Sequence, residues 1–203
     1  MPSQLSLLYL GRVLFNPKRS FAAIAADDPS AARVFFGLAF WLAVLPPLFA
    51  YVGTAAFGWR LGVAPIRLPS GTIAAISIAY FALLLIGFLS SASVSRWMAP
   101  TYGAKRAWGA HFALIAIVGA PLAVGSIAHL YPQAFLNVIV LVPTLIWSMY
   151  LLYKGLPIAL QTESGRGMLM ASALIAYLLV AWVSLLGVTV VLWIRGIGPM
   201  IGA

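Results

Sequence analysis

The chain has 203 residues, of which 64% are apolar and only 7% are charged, and its mean hydropathy is +1.06. A soluble domain usually carries about 25% charged and about 45–50% apolar residues, so a soluble enzyme, a disordered chain and a nucleic-acid-binding domain are excluded. The net charge of +9 is explained by anionic lipid and membrane topology, because the cations lie between apolar runs. We therefore expect an all-α, polytopic membrane protein of one domain.

The first 32 residues are predicted to form two short amphipathic helices on the cytoplasmic side of the membrane. The first runs from about Ser3 to Phe15. The second has Asn16 as its N-cap and Pro17 at its first helical position.

This second helix presents Phe21 and Ile24 on one side and has Lys18 and Arg19 near its start. We expect it to lie in the membrane interface, with the apolar residues in the acyl boundary and the cations at the lipid phosphates. The alternative is an ordinary cap on the helix bundle.

Residues 33–203 are predicted to form a bundle of five transmembrane helices. A helix needs about 20 apolar residues to cross the hydrocarbon core, and four stretches between charged residues are long enough. The stretch 107–153 is too long for one helix and contains the turn-like sequence HLYPQ, so it is divided into two. The predicted spans are about 34–57, 70–95, 108–130, 133–153 and 168–194.

The distribution of cations predicts a cytoplasmic N-terminus and a C-terminus outside, because cytoplasmic loops carry an excess of Lys and Arg. With that orientation the cytoplasmic side holds nine cations: Arg12, Lys18, Arg19, Arg33, Arg96, Lys105, Arg106, Lys154 and Arg166. The other side holds Arg60, Arg67 and Arg195.

Three of the spans contain proline: Pro46 and Pro47 in the first, Pro121 in the third and Pro143 in the fourth. Each proline removes a backbone donor and frees a carbonyl in a medium without water. These residues are candidates for helix kinks around a cavity or gate. Static kinks packed against neighbouring helices are the alternative, and proline is common in membrane helices.

Gly87, Ser91 and Ser95 stand four residues apart on the second span. Such a stripe of small residues allows another helix to approach closely. We assign it to helix packing, within the bundle or at a dimer seam.

The sequence offers no catalytic, cofactor-binding or metal-binding set. Cysteine is absent, and two His and three carboxylates are spread over the chain. No Asp, Glu, Lys or Arg lies well inside a span, which disfavours ion-coupled transport. His111 and His129 lie near span ends, where an interfacial position fits better than a proton relay.

The cytoplasmic loops hold most of the polar residues and form a basic face. One interpretation is that this face sets the topology and contacts anionic lipid headgroups. The more specific interpretation is that it is a docking surface for a membrane-protein partner. The candidate residues are Lys18, Arg19, Arg96, Lys105, Arg106, Lys154 and Arg166.

Three segments resemble a known family: FNPKRSFAAI, APTYGAKRAWGAHFALIAIVGAPLAVGSIAHLYP and WSMYLLYKGLPIAL. They are similar to the Yip (Yip-one, Ypt/Rab-interacting protein) domain family, most closely its bacterial, YohC-like branch. The resemblance implies five spans and a cytoplasmic N-terminus. Eukaryotic members are associated with Rab GTPases and vesicle traffic, whereas bacterial members are inner-membrane proteins without an assigned activity.

Two hypotheses follow. The leading one is a non-enzymatic inner-membrane protein that organises the membrane or recruits a partner through its basic face, with the lipid bilayer, a membrane protein or a second copy as its partner. The alternative is a small channel, transporter or lipid scramblase, whose cavity would be lined by the proline-kinked helices.

Overall fold

The computed structural model describes residues 17–60 and 65–195 of the chain. The helix predicted between Ser3 and Phe15 lies outside the described residues. The described helices are α1 (Pro17–Asp27), α2 (Ala31–Phe57), α3 (Ser70–Tyr102), α4 (Trp108–Leu130), α5 (Ala134–Ala159) and α6 (Ser164–Ile194).

The five predicted membrane spans are confirmed, since α2 to α6 are each long and apolar enough to cross a bilayer. The turn predicted at HLYPQ separates α4 from α5. Within residues 17–60 and 65–195 the backbone forms two isolated β-bridges and no strand. The class of fold is therefore the expected all-α bundle.

Two spans continue further than the charges suggested. Helix α3 passes Arg96 and ends at Tyr102; its C-cap is Gly103, whose φ of 75° lies in the left-handed region that favours glycine. Helix α5 passes Lys154 and ends at Ala159. A cation ends the apolar stretch but not the helix, so both helices are longer than the spans predicted from the charges.

Helix α2 is irregular in its first half. Ser30 caps it by accepting a hydrogen bond from the backbone N–H of Arg33 at 3.4 Å, and residues Phe35–Ala39 form one π-helical turn. Pro46 and Pro47 then remove two successive backbone donors within the helix. Helix α6, by contrast, contains no proline, and the one proline inside α3 is Pro100, near its end.

Helix α4 is the centre of the bundle. It contacts α1, α2, α3 and α5, and its residues are apolar on all sides, as expected of a helix that is surrounded by protein. The buried residues of its first seven positions already cover every face: Gly109, Ala110, His111, Phe112, Ala113 and Leu114. Helix α6 packs on α5 and α3 at the edge of the bundle.

Glycines allow the close contacts of this centre. A Cβ at Gly119 would lie 2.7 Å from the Phe88 ring of α3, and one at Gly53 of α2 would lie 2.7 Å from the carbonyl oxygen of Leu130. Lipid tails are as apolar as the side chains, so helices associate in a membrane through close packing rather than through the hydrophobic effect. Glycine at these positions permits that packing.

Helix α1 is present, but its apolar side faces the bundle instead of lipid. Phe21 and Ile24 are buried, and the ring of Phe21 lies directly over Gly155 of α5. This finding corrects the expectation that both residues lie in the acyl boundary. Helix α1 therefore packs as a cap on the bundle, which was the alternative. Gly155, a residue without a side chain, leaves room for the Phe21 ring.

Replacing Gly155 by Ala should destabilise the protein, because the new methyl group would overlap the fully buried Phe21 ring. Overpacking a tight site costs about 1–3 kcal/mol. The matched control is Gly87→Ala, since a Cβ at Gly87 would meet no described atom within 4 Å, and alanine favours a helix. We expect thermal unfolding in detergent at a lower temperature for Gly155→Ala alone; equal midpoints would contradict the packing of α1.

Candidate functional site

The cations predicted to be cytoplasmic gather at one end of the bundle, which we call the basic end. It is formed by α1, the start of α2, the end of α3, the start of α4, the end of α5 and the start of α6. Its described cations are Lys18, Arg19, Arg33, Arg96, Lys105, Arg106, Lys154 and Arg166.

The side-chain carboxylates of the sequence are three in number, and each pairs with one arginine of the basic end. Asp27 lies 3.1 Å from Arg33, and Glu163 lies 3.6 Å from Arg166. The third pair joins Asp28 to Arg106 at 3.4 Å. The first two pairs are exposed and contribute little to stability, but together the three use every Asp and Glu in the chain.

Arg106 holds the end of α1 on the bundle. Its guanidinium donates hydrogen bonds to the carbonyl oxygens of Ala25 at 2.6 Å and Ile24 at 3.4 Å, in addition to its pairing with Asp28. It also donates to the side chain of Gln161 at 3.5 Å, in the turn between α5 and α6. A cation at a helix C-terminus satisfies carbonyls that the helix leaves open.

Two of the candidate binding residues are thus already engaged in contacts within the protein. The side chain of Arg106 is only 17% exposed, and Arg166 is occupied by Glu163. The sequence indicated their charge but not their partners, because the pair Arg106–Asp28 joins residues 78 positions apart. The scarcity of carboxylates was the one signal that could have suggested such pairing.

The other five candidates carry charge that no Asp or Glu of the chain can neutralise. Each is exposed on the surface of the basic end: Lys18, Arg19, Arg96, Lys105 and Lys154. Phe21 and Gly155 are in contact, so α1 brings its cations to the same side of the bundle as the end of α5. The result is an exposed surface of five uncompensated cations, which we call the free cation set.

A buried polar pair lies beneath this surface. The hydroxyl of Ser95 and Nδ1 of His111 are 2.7 Å apart, and both residues are fully buried between α3 and α4. Arg96, one residue beyond Ser95, belongs to the free cation set. His111 is thus near the end of its span as expected, but it lies inside the bundle and not at the lipid interface.

The small-residue stripe of α3 divides in the structure. Ser91 and Ser95 are buried, whereas Gly87 faces open space among the described residues. The Ser91 hydroxyl donates to the Gly87 carbonyl at 2.6 Å, so this polar group is satisfied within its own helix. Gly87 therefore takes no part in packing among the described helices, and the dimer seam stays a prediction from its spacing.

The proline sites occupy different surroundings. Pro46, Pro47 and Pro121 are buried, but Pro143 is on the exposed side of α5. Three of the four are thus inside the bundle, and one is on its surface. The alternative of a small channel, transporter or lipid scramblase remains a prediction from the sequence.

The end of the bundle opposite to the basic end is held by Arg60. Its Nη1 donates to the Tyr131 hydroxyl at 3.1 Å, and its guanidinium lies 5.4 Å from the centre of the same ring. Its backbone N–H donates to the Pro132 carbonyl at 2.9 Å. These contacts join the segment after α2 to the turn between α4 and α5.

The fold and charge distribution define a five-span α-helical membrane protein with one basic end. The chain belongs to the Yip1 domain family, whose model matches residues 11–185. It is similar to the inner membrane protein YohC of Escherichia coli K12, with 26% identity over 179 residues that cover 88% of this chain and 92% of YohC. YohC of E. coli O6:H1 strain CFT073 gives the same values. No solved structure matches the chain.

Replacing Arg106 by Gln should release α1 from the bundle, because the carbonyls of Ile24 and Ala25 and the carboxylate of Asp28 lose their common cation. The chain has no cysteine, so Ile24→Cys provides a unique thiol at a buried site. We expect maleimide to label this thiol slowly in the parent and at least tenfold faster beside Arg106→Gln.

The control is Arg166→Gln, which removes an exposed pair worth about 0–1 kcal/mol. Labelling should stay slow in that variant. Equal labelling rates in all three proteins would show that Arg106 does not hold α1.

Proposed function

We propose that this YohC-like protein is a non-enzymatic component of the bacterial inner membrane that organises the membrane or recruits a partner through its basic end. In this proposal the basic end faces the cytoplasm and the C-terminus faces outward. The partner is an anionic lipid surface or the acidic surface of a membrane-associated protein.

The free cation set is the observation that carries the proposal. Five exposed cations remain after every Asp and Glu of the chain has been paired. The stability of the fold does not require these five cations, because the contacts that hold α1 on the bundle at this end are made by Arg106. A concentrated charge of one sign attracts the opposite charge over about 8–10 Å at physiological salt.

The chemistry of such a surface suits anionic phosphates and carboxylates. Clusters of Lys and Arg beside membrane helices bind anionic lipid, with about 1 kcal/mol for each cation near the surface. Lys105 lies in the loop between α3 and α4, and Lys154 lies in the last two turns of α5. The two charges are thus presented by different parts of the bundle, and such spacing is useful for recognising a partner.

The proposed sidedness can be tested with single cysteines, because the chain contains none. Ser164→Cys marks the basic end and Ser70→Cys marks the opposite end, and both serines are exposed. In intact spheroplasts a membrane-impermeant maleimide should label the cysteine at position 70 only. Labelling at 164 and not at 70 would reverse the topology and contradict the proposal.

Binding through the basic end can be tested with the protein in nanodiscs of neutral lipid. We expect co-flotation with vesicles that contain phosphatidylglycerol and none with pure phosphatidylcholine vesicles. Replacing Lys105 and Lys154 by Gln should weaken binding by about tenfold or more, since two cations contribute about 2 kcal/mol.

The matched control is the double replacement of Arg67 and Arg195 by Gln, which removes the same net charge at the opposite end. Both arginines are exposed. An equal loss in the two double variants would indicate a nonspecific effect of net charge. Binding that survives Lys105→Gln with Lys154→Gln would rule out a lipid-binding basic end.

A further inference from the structure

Two of the five cations in the free cation set are carried by α1. Lys18 and Arg19 belong to this helix, whereas the bundle supplies Arg96 from α3, Lys154 from α5 and Lys105 from the loop between α3 and α4. A short non-helical connection separates α1 from α2. The number of cations presented together at the basic end therefore depends on where α1 lies.

The contact between Phe21 and Gly155 sets the position of the two cations of α1. Lys18 is three residues before Phe21, which corresponds to about 5 Å along the helix axis, and Arg19 is closer. Lys154 directly precedes Gly155 on α5. While the Phe21 ring lies over Gly155, the cations of α1 are therefore held beside the cation of α5.

Arg106 keeps α1 in this position but is not itself offered to a partner. Its guanidinium donates hydrogen bonds to the carbonyl oxygens of Ala25 at 2.6 Å and Ile24 at 3.4 Å. It also pairs with Asp28, and its side chain is only 17% exposed. These contacts are with α1 or with the residue directly after it, so Arg106 acts on the exposed cations through the position of the helix.

The membrane interface offers α1 a second environment. Phe21 and Ile24 are on its buried side, and its two cations are on its exposed side. A helix of this kind binds in the interface with its apolar residues in the acyl boundary and its cations at the lipid phosphates. Because the apolar residues are shielded from water in both places, the specific contacts of Arg106 and Gly155 decide between them. In the interface the cations of α1 would face the protein's own leaflet.

We propose that α1 is a movable part of the surface that binds an anionic phospholipid membrane facing the basic end. Docked α1 adds two cations to that surface, and Arg106 is the positioning residue that keeps the helix docked. This inference rests on the proposed function, since it concerns the same surface. The phosphates of a fluid lipid surface can move to each cation, which suits charges that come from separate helices.

Docking and binding are coupled in this arrangement. A facing anionic surface binds the docked state more tightly, because that state presents the whole free cation set and the released state lacks the two cations of α1. By linkage, a bound anionic surface stabilises docked α1 by the same factor by which docking tightens binding. The release of α1 into the interface thus weakens attachment without unfolding the bundle.

The experiment is a double-mutant cycle on the full chain in nanodiscs of neutral lipid, measured by co-flotation with phosphatidylglycerol vesicles. In the parent, replacing Lys18 and Arg19 by Gln should weaken binding by about tenfold or more, as expected for two cations. Beside Arg106→Gln the same replacement should change binding by less than about twofold, because α1 has already been released. Equal losses in the two backgrounds would overturn the proposal.

A second variant disturbs docking without changing any charge. Gly155→Ala places a methyl group against the Phe21 ring in the docked state only, whereas a Cβ at Gly87 meets no described atom within 4 Å. Binding to phosphatidylglycerol vesicles should weaken in Gly155→Ala and stay unchanged in Gly87→Ala, with the fold of both proteins checked by circular dichroism. Full binding by a folded Gly155→Ala protein would contradict the role of docking.

The reciprocal effect is measured at the thiol introduced by Ile24→Cys, a buried position of α1. Phosphatidylglycerol vesicles should slow its labelling by maleimide, and phosphatidylcholine vesicles should not; equal rates would overturn the coupling. The outcomes also separate this inference from the proposed function. Wild-type binding with additive losses would contradict the movable α1 alone, whereas no wild-type binding to phosphatidylglycerol vesicles would overturn the lipid-binding basic end as well.

Discussion

The close packing of α4 is the constraint on which the rest of the bundle depends. A helix that is apolar on every side gains nothing by leaving lipid unless neighbouring backbones and rings approach it more closely than lipid can. Gly109 and Gly119 on α4 permit two of these approaches, to the segment before α2 and to α3. The contacts of α2, α3 and α5 around this centre set where each loop emerges, and therefore where the charges of the basic end are presented.

The scarcity of acidic residues gives the basic end of the bundle its positive charge. Asp27 and Asp28 stand together at the end of α1 and engage arginines from α2 and from the loop before α4. The carboxylates thus anchor the N-terminal helix and its connection and are not dispersed among the exposed cations. One end of the protein is consequently both firmly assembled and strongly positive, and these two properties come from different arginines and lysines.

The sequence predicted what depends on local pattern. Apolar stretches bounded by charges located all five spans, and the prolyl turn after His129 divided the longest stretch correctly. It could not predict contacts made across the bundle. The packing of Phe21 depends on Gly155, which is 134 positions away in the chain. The pairing of Arg106 with Asp28 depends on where α1 lies on the bundle. The surroundings of Gly87 depend on contacts of the same kind: its spacing matches a packing stripe, but its side of α3 meets no other described helix of the chain.

The docking of α1 has a consequence for biosynthesis. Its residues leave the ribosome before those of every other described helix, yet Arg106 and Gly155, which receive it, belong to later parts of the chain. Its apolar side therefore stays uncovered while α2 to α5 are inserted, and synthesis proceeds from the N-terminus. The first described helix to be translated therefore cannot reach its final position until α5 has been made.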